Sequence, residues 1–265
     1  MSIIFPLFNG SKGNATYIRC RNTSILIDAG CSAKQIEISM FEKNLNPSKL
    51  NSIFITHEHL DHIKGLKAFA SRYKIPIYSS EGTILSLSKK CILNNKFAYY
   101  IVPSRGISVN EDLFIKPFSI SHDCAEGFGY VVETKDERKI AFATDTGFVS
   151  DEIRQAVKGC DVIFIESNHD VKMLKYGIYP SYLKKRILST LGHLSNEACA
   201  KELPYLIECG LSRIVLSHLS KQNNNSELAY QTAVLNLSKY NIKEGIDYKI
   251  MVADEINTTG KHILI

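Results

Sequence analysis

The 265-residue chain is long enough to bury a full hydrophobic core, as one large α/β domain or as two small ones. Its 45% hydrophobic and 22% charged residues are ordinary for a globular protein and exclude a low-complexity chain. The formal net charge of +5, from 32 Lys and Arg against 27 Asp and Glu, is compatible with a phosphate-rich partner but does not require one.

The cysteines and the lengths of the apolar runs indicate in which cellular compartment we expect the protein. Seven cysteines occur without a Cys-x-x-Cys pair, and several lie in apolar runs, which predicts reduced core thiols. The sequence has no basic-then-apolar leader and no run of about 18 apolar residues. We therefore expect a cytoplasmic enzyme that does not interact with a membrane.

The first elements in chain order are short strands around a glycine-rich loop. Residues 2–8 are apolar and extended, and the loop at residues 9–14 contains two glycines and two asparagines. This composition is typical of a hairpin turn. A loop that cradles a phosphate through its backbone amides is the alternative. Strands are then predicted at residues 15–20 and 24–27.

The second of these strands ends in an acidic residue. Asp28 either caps the helix predicted at residues 32–43 or orients a metal-bound histidine. Cys31 could approach a metal, and the alternative for it is a buried thiol.

The most informative stretch is residues 57–62, which read His-Glu-His-Leu-Asp-His. It follows the strand-like segment 52–56 and precedes a helix start at residues 63–70. Polar residues at such a transition occupy the sheet edge where α/β proteins place their chemistry. Imidazole and carboxylate together suit zinc, manganese or iron. The alternative, a solvated polar turn, does not account for so many potential ligands in six residues.

Further strands and helices alternate along the rest of the chain. Strands are predicted at residues 76–78, 96–102, 107–110, 113–120, 127–134, 139–144, 161–165, 213–216 and 249–252, and helices at 81–90, 151–158, 197–208 and 226–237. Three strands are followed by potential ligands, namely His122, Asp145 and His218, and His193 precedes a helix. Because both halves of the chain contribute such residues, we expect one domain over residues 1–265 with a site shared between two sheets.

The number of potential ligands is sufficient for two metal ions. A two-metal hydrolytic site needs about four ligands per ion, a bridging carboxylate and an open position for water. His57 and His59 would serve the first ion, and Asp61 with His62 the second. Residues at later strand ends would complete the site.

This pattern resembles the metallo-β-lactamase superfamily over nearly the whole chain. The resemblance implies an α/β fold, a four-layer αββα sandwich with two metals at one edge. Six segments resemble more narrowly the YycJ (WalJ) branch, whose members are viewed as DNA exonucleases: Gly10–Tyr17, Ile27–Gly30, Ile120–Asp123, Ser167–Asp170, Gly192–Asn196 and Ser217–Ser220. Lys12 departs from that pattern, because a small residue is more usual at its position.

The resemblance also implies roles for individual residues. The first ion would be held by His57, His59 and His122, and the second by Asp61, His62 and His218, with Asp145 bridging. The ions would be zinc or manganese, with iron also compatible. The segment from Gly192 to Ser195 resembles a histidine motif of ribonuclease Z-like phosphodiesterases. This likeness implies that His193 is a general acid or a phosphate contact, and Asp61 would orient the nucleophile.

Residues outside the metal set are candidates for substrate contacts. His169 could contact the substrate or support the site from further away. Lys184, Lys185 and Arg186 could bind backbone phosphates, with Tyr179 or Tyr182 stacking on a base. The alternative for this basic run is a solvated helix face.

Taken with the resemblance, these features predict a binuclear metal-dependent phosphodiesterase that acts as a 5′–3′ exonuclease on duplex DNA through a metal-activated hydroxide. The alternatives are a small-molecule or cyclic phosphodiesterase, or another ester or thioester hydrolase of the same fold. A non-catalytic metal-binding module is disfavoured because Asp61, His62 and Asp145 are all present. A zinc β-lactamase is disfavoured because those enzymes typically lack a histidine where His62 stands. The sequence leaves the oligomeric state open.

Overall fold

A computed structural model describes all 265 residues. The strands are β1 Ser2–Phe8, β2 Ala15–Cys20, β3 Thr23–Ile27, β4 Ser52–Phe54, β5 Ile77–Ser79, β6 Tyr99–Ile101, β7 Ile107–Val109, β8 Leu113–Ser119, β9 Phe128–Thr134, β10 Lys139–Ala143, β11 Val162–Glu166, β12 Arg213–Ser217, β13 Lys249–Val252 and β14 Ile263–Leu264. The helices are α1 Ala33–Glu42, α2 Leu60–Ile63, α3 Leu66–Tyr73, α4 Glu81–Lys89, α5 Asp151–Val157, α6 Val171–Tyr176, α7 Ser181–Ile187, α8 Asn196–Glu208 and α9 Ser226–Ser238, with a 3₁₀ turn at Pro47–Lys49. Not one of the helices combines the length and the apolar character needed to cross a membrane.

The chain divides into two compact units. The first contains residues 1–117, 124–138 and 254–265, and the second contains residues 118–123 and 139–253.

The first unit is built on a seven-stranded sheet with the order β14-β1-β2-β3-β4-β5-β6. Neighbours from β14 to β3 are antiparallel, and neighbours from β3 to β6 are parallel. Parallel neighbours need crossover connections, which α1, α3 and α4 supply. The carboxyl ends of β3 and β4 therefore lie side by side, which brings Asp28 next to the start of the histidine-rich segment. The unit also contains β7, β9 and residues 113–117 of β8.

The core of the first unit lies between this sheet and its helices. Leu26, Ile53 and Ile77 from three neighbouring strands pack with Ile36 of α1 and Phe69 of α3, and all five are fully buried. Burying side chains of this kind stabilises a fold by roughly 1.5–3 kcal/mol each. The support beneath the histidine-rich segment is therefore a packed apolar layer.

The second unit is built on four parallel strands in the order β13-β12-β11-β10. Strand β11 is buried along its whole length, as expected for a parallel strand covered on both faces. Helix α5 connects β10 to β11, helices α6 to α8 connect β11 to β12, and α9 connects β12 to β13. All four strands consequently end at the same edge, where the polar residues predicted at strand ends are found.

The predicted elements occur, with shifts at their ends, and three short helices (α2, α6 and α7) and the last strand, β14, were not predicted. Helices α6 and α7 have six and seven residues and are separated by a segment that contains Gly177 and Pro180. Such short helices carry too few turns for an apolar period to be visible in the sequence.

One local alternative is wrong. Helix α1 is capped by Ser32, whose hydroxyl accepts a hydrogen bond from the Gln35 amide, and the Gln35 side chain completes a capping box. Asp28 is therefore not the helix cap, and its carboxylate is directed elsewhere.

Candidate metal centre

The histidine-rich segment lies where β4 ends and α2 begins, in the first unit. His59 is the residue that precedes the first turn of α2, and Asp61 and His62 lie within that turn. The ring centroids of His57 and His62 are 4.1 Å apart, and those of His57 and His59 are 4.6 Å apart. The Asp61 carboxylate approaches His62 Nε2 to 3.5 Å. The structure thus brings four of the predicted ligands together in one unit.

Asp28 and Thr56 fix the orientation of two of these imidazoles. His62 Nδ1 lies 2.7 Å from Asp28 Oδ2, and the Thr56 hydroxyl lies 2.9 Å from the same oxygen. His57 Nδ1 lies 3.1 Å from the Thr56 hydroxyl oxygen. Because a carboxylate can only accept, Nδ1 of His62 carries the proton and Nε2 keeps its lone pair. This supports the alternative in which Asp28 orients a histidine.

The glycine-rich loop contacts the histidine-rich segment from the side. Asn14 donates its backbone N–H to Asp61 O at 2.8 Å, and its side-chain nitrogen lies 3.1 Å from His62 Nε2. Gly10 N and Gly13 N are both engaged within the loop. These contacts support the hairpin-turn alternative over a phosphate cradle. A Cβ atom at Gly30 would lie 1.6 Å from Asp61 O, so only glycine permits this approach.

Cys31 is a buried thiol. Burial raises the pKa of the Cys31 thiol to about 11, against the opposing effect of Lys64. A metal ligand or nucleophile has to be a thiolate. A protonated thiol that packs against the glycine-rich loop is therefore the better interpretation.

In the second unit, three residues whose side chains can accept hydrogen bonds or bind a metal ion lie at the ends of neighbouring parallel strands. Asp145 follows β10, Glu166 ends β11, and His218 follows β12. Asp145 and His218 both have φ of +56°, a left-handed conformation that is uncommon outside glycine. Strained backbone of this kind occurs at functional sites, where the surrounding structure maintains it.

Two imidazole nitrogens of the second unit converge on one carboxylate oxygen. Asp145 Oδ1 lies 3.4 Å from His218 Nε2 and 3.9 Å from His122 Nε2. His122 Nδ1 donates to the carbonyl oxygen of Gly192 at 3.0 Å, and His122 Nε2 also lies 3.5 Å from Asp123 Oδ1. Two imidazoles and a carboxylate are a donor set suited to zinc and similar ions.

Glu166 organises this part of the site and was missed by the sequence analysis. Its Oε1 accepts from His193 Nδ1 at 2.7 Å and from His218 Nδ1 at 3.1 Å, and its Oε2 accepts the Thr146 amide at 2.9 Å. Burial alone would raise the pKa of Glu166, but the two histidines outweigh it and lower that pKa to about 2. The available signal was an acid at the end of a buried strand, the same signal that marked Asp28 and Asp145.

Glu166 favours the protonated form of His193. Burial tends to lower the pKa of His193, but the adjacent Glu166 carboxylate outweighs burial and raises it. The ring lies 5.0 Å from the His122 ring and 5.4 Å from the His218 ring, centroid to centroid. His193 therefore lies beside His122 and His218, two of the predicted ligands of the second unit.

His169 and the basic run at residues 184–186 lie in environments that differ from those of the predicted metal ligands. His169 is buried, which lowers the pKa of its imidazole to about 4, and its Nε2 has no hydrogen-bond partner. Lys184 Nζ donates to the carbonyl oxygens of Lys175 and Gly177, and Arg186 pairs with Asp123. In the same segment, Lys185 and Tyr182 are exposed, and Tyr179 is half-buried.

Known proteins resemble this chain in sequence and in fold. A family model described as a beta-lactamase superfamily domain matches residues 23–219. Exodeoxyribonuclease WalJ of Streptococcus pneumoniae is 37% identical over 246 residues, which cover 92% of this chain and 91% of that protein. Exodeoxyribonuclease YycJ of Bacillus anthracis is 38% identical over 226 residues, which cover 84% of each protein.

Two solved structures resemble the chain over almost its whole length. The metallo-beta-lactamase fold protein YhfI from Bacillus subtilis has a TM-score of 0.71 at 14% identity, over 96% of this chain and 97% of that one. Human tRNase Z, short form, has a TM-score of 0.66 at 20% identity, over 99% of each chain. At these identities the likeness concerns the fold, and it confirms the predicted fold class.

Proposed function

This chain belongs to the metallo-β-lactamase superfamily, in its YycJ/WalJ branch, and we propose that it is a DNA exonuclease that uses two divalent ions. Membership makes it a metal-dependent hydrolase of phosphodiester bonds, with nucleic acid as the class of substrate. DNA as the specific substrate, the two-ion mechanism and attack from the 5′ end of a duplex are the proposal. DNA is favoured over RNA because both relatives that align over more than four fifths of their length are named exodeoxyribonucleases.

The tautomers of the histidines carry the metal-binding part of the proposal. His62, His122 and His218 each engage Nδ1 with a carboxylate or carbonyl oxygen. A proton on Nδ1 makes Nε2 the ligand atom of the neutral imidazole, which is how proteins orient imidazoles for metal ions. The residues present therefore fit the divalent metal that the family implies.

We assign the metal ligands from the spacing of the motif and this donor chemistry. His57, His59 and His122 would hold the first ion, Asp61, His62 and His218 would hold the second, and Asp145 would contribute to both. When bound, such ions supply a hydroxide nucleophile at neutral pH and neutralise the charge of the phosphate. We further propose that the two units together form the single hydrolase domain predicted over residues 1–265.

The side chains around the ligands have separate tasks. The Asp61 carboxylate accepts a hydrogen bond from the attacking water and aims its lone pair at phosphorus. The His193 cation donates a hydrogen bond to a phosphate oxygen and passes its Nε2 proton to the leaving oxygen as the P–O bond breaks. Glu166 holds His193 in place through Nδ1, so the proton is released from the opposite side of the ring.

A nuclease assay tests the assignment. The metal-loaded protein is incubated with manganese and duplex or single-stranded DNA labelled at either the 5′ or the 3′ end, beside RNA of the same sequence and a small chromogenic phosphodiester. We expect early release of the 5′ label from duplex DNA. Cleavage of the chromogenic ester alone would contradict the nuclease assignment, and equal cleavage of RNA would contradict the preference for DNA. His122→Ala serves as the inactive control.

A further inference from the structure

The positive charge of the chain is concentrated in one short segment of the second unit. Residues 171–191, here called the α6–α7 segment, contain five Lys or Arg residues and no Asp or Glu. This excess equals the formal net charge of +5 of the whole chain, so the remaining residues are balanced. A local concentration of one sign of charge favours a partner of the opposite sign.

The same segment displays large apolar side chains to solvent. Tyr176 is 89% exposed, Ile178 is 86% exposed and Tyr182 is 74% exposed, the highest exposures of tyrosine and isoleucine side chains in the chain. Exposed aromatic side chains grouped in this way mark interaction surfaces. Aromatic side chains combined with positive charges are typical of surfaces that bind single-stranded nucleic acid.

Hydrogen bonds hold in place the two helices that carry these exposed side chains. Lys184 Nζ on α7 donates to Lys175 O at 2.8 Å and to Gly177 O at 2.7 Å, which ties the end of α6 to α7. Asp170 caps the other end of α6 by accepting from Met173 N at 2.7 Å. Since the backbone is already ordered, a ligand that binds here has little conformational entropy to remove from the protein.

The segment is joined directly to the residues assigned to phosphate chemistry. His193 donates its backbone N–H to Ile187 O at 3.0 Å. Arg186 Nη2 lies 2.9 Å from Asp123 Oδ1, next in sequence to His122. Within the basic run, Lys184 and Arg186 are thus engaged with the protein itself, whereas Lys185 is exposed.

We propose that the α6–α7 segment binds an unpaired strand at the end of the DNA substrate, beside the scissile phosphate, with bases stacked on Tyr176 and Tyr182 and with phosphates paired to Lys172, Lys175 and Lys185. This inference rests on the proposed nuclease function and adds where the substrate strand is held. Stacking on a ring accepts any base, and the cations accept any phosphate, so the binding is independent of sequence. A second copy of the chain fits less well, because a symmetric contact would oppose two sets of like charges.

The test uses the full-length, metal-loaded protein and a short fluorescein-labelled phosphorothioate oligothymidylate that resists cleavage. Fluorescence anisotropy gives its Kd. The double variant Tyr176→Ala, Tyr182→Ala is expected to bind at least about tenfold more weakly, because stacking contributes roughly this factor per base. The matched pair Tyr176→Phe, Tyr182→Phe keeps the rings and should bind within about twofold of the unmodified protein. Tyr240→Ala, at a 58% exposed tyrosine of the same unit, is the control.

A second measurement examines the lysines. Replacing Lys175 and Lys185 by Gln should make the slope of log K against log salt shallower by about 1.4, since each phosphate contact on a single strand contributes about 0.7. Lys239→Gln, an exposed lysine at the end of α9, should leave the slope unchanged.

The inference is overturned if the double alanine variant binds the oligonucleotide as tightly as the unmodified protein, or if the phenylalanine pair loses as much affinity as the alanine pair. It is also overturned if the alanine pair turns a dimer into a monomer in sedimentation without changing the Kd, which would make the segment an interface between copies. These outcomes are separate from the nuclease assay. If the unmodified protein degrades DNA and the alanine pair binds normally, only the proposed binding segment is refuted. If binding depends on the tyrosines but no DNA is degraded, only the nuclease function is refuted.

Discussion

Both the backbone conformation and the side-chain contacts of Asp28 place its carboxylate against His62 and Thr56. The residue has φ of +62°, and its carboxylate contacts both His62 and Thr56. Asp145 and His218 repeat the left-handed conformation at strand ends of the second unit. Left-handed backbone at a non-glycine residue costs roughly 1 kcal/mol or more, and three of the ten such residues of this chain lie in the candidate metal centre.

Replacing Asp28 by Asn tests this role. Asn tolerates the left-handed conformation, so Asp28→Asn removes the charge and leaves the backbone as it is. Because partners that orient metal-bound histidines typically contribute 10–100-fold in metal affinity, we expect about tenfold weaker zinc binding. The measurement is a competition titration with a chromophoric chelator.

The control is Asp151→Asn, which removes the same charge from an exposed position on α5. It should leave zinc affinity unchanged. Equal zinc affinity in Asp28→Asn and in the unmodified protein would mean that Asp28 has only a structural role.

His193 is expected to act on turnover and not on metal content. Its Nδ1 is engaged with Glu166, which fits a proton donor held in position. His193→Ala should lower kcat by about 10²–10⁴, the usual contribution of a general acid, while the metal content stays that of the unmodified protein. Elemental analysis beside the nuclease assay separates the two effects, and loss of metal would identify His193 as a ligand instead.

At the scale of elements, both units use the carboxyl ends of parallel strands. In the first unit the ends of β3 and β4 carry Asp28 and the histidine-rich segment, and in the second the ends of β10, β11 and β12 carry Asp145, Glu166 and His218. Because neighbouring parallel strands end at one edge, residues far apart in sequence become neighbours without long connecting loops.

The contact between the loop after β3 and the first turn of α2 depends on a glycine. In Gly30→Ala, the new Cβ would overlap Asp61 O and approach Asn14 N to 2.6 Å. Both obstacles are backbone atoms, so the histidine-rich segment has to shift. We expect Gly30→Ala to lower both metal affinity and stability, by several kcal/mol for the latter.

Urea denaturation and the chelator titration measure these two effects. Gly245→Ala is the control for metal affinity only, because nothing lies within 4 Å of its new Cβ, whereas its φ of +81° strains an alanine and so affects stability. Metal affinity equal to that of the unmodified protein in Gly30→Ala would contradict the proposed dependence on this contact.

The cap of α1 provides a test confined to stability. Ser32→Ala removes the hydroxyl that accepts from Gln35 N and should reduce the free energy of unfolding by about 1 kcal/mol. Ser88→Ala, an exposed serine within α4, should not destabilise the protein, because alanine favours the helix interior. Urea denaturation of both variants gives the comparison, and an equal change in the two would argue against the cap.

At the scale of the whole molecule, metal binding and folding are linked. Burying so many imidazoles and carboxylates close together is costly, and a bound cation offsets that cost. Adding zinc at 100 times its Kd should stabilise the protein by about 2.7 kcal/mol through mass action. The Tm should therefore rise with zinc and fall with a chelator, in a calorimetric scan at fixed protein concentration. A Tm independent of metal would contradict the assignment of the ligands.

The sequence by itself determined the fold class, the family and the class of chemistry. Residues 57–62 are contiguous, so their donor atoms are close whatever the rest of the chain does, and the alternation of strands and helices is visible in local apolar patterns. Fold class and hydrolase activity were predicted on this basis and are confirmed.

Only the tertiary structure decided which polar residues support which histidines. Glu166 and His218 are 52 positions apart, and His62 and Asp28 are 34 apart, so their contacts depend on strand order and on left-handed backbone at the strand ends. Tyr176 and Tyr182 are exposed on two short helices. These helices could not be predicted from the sequence, because they have too few turns to show an apolar period. Contacts of this kind come from long-range pairing, which local propensity does not encode.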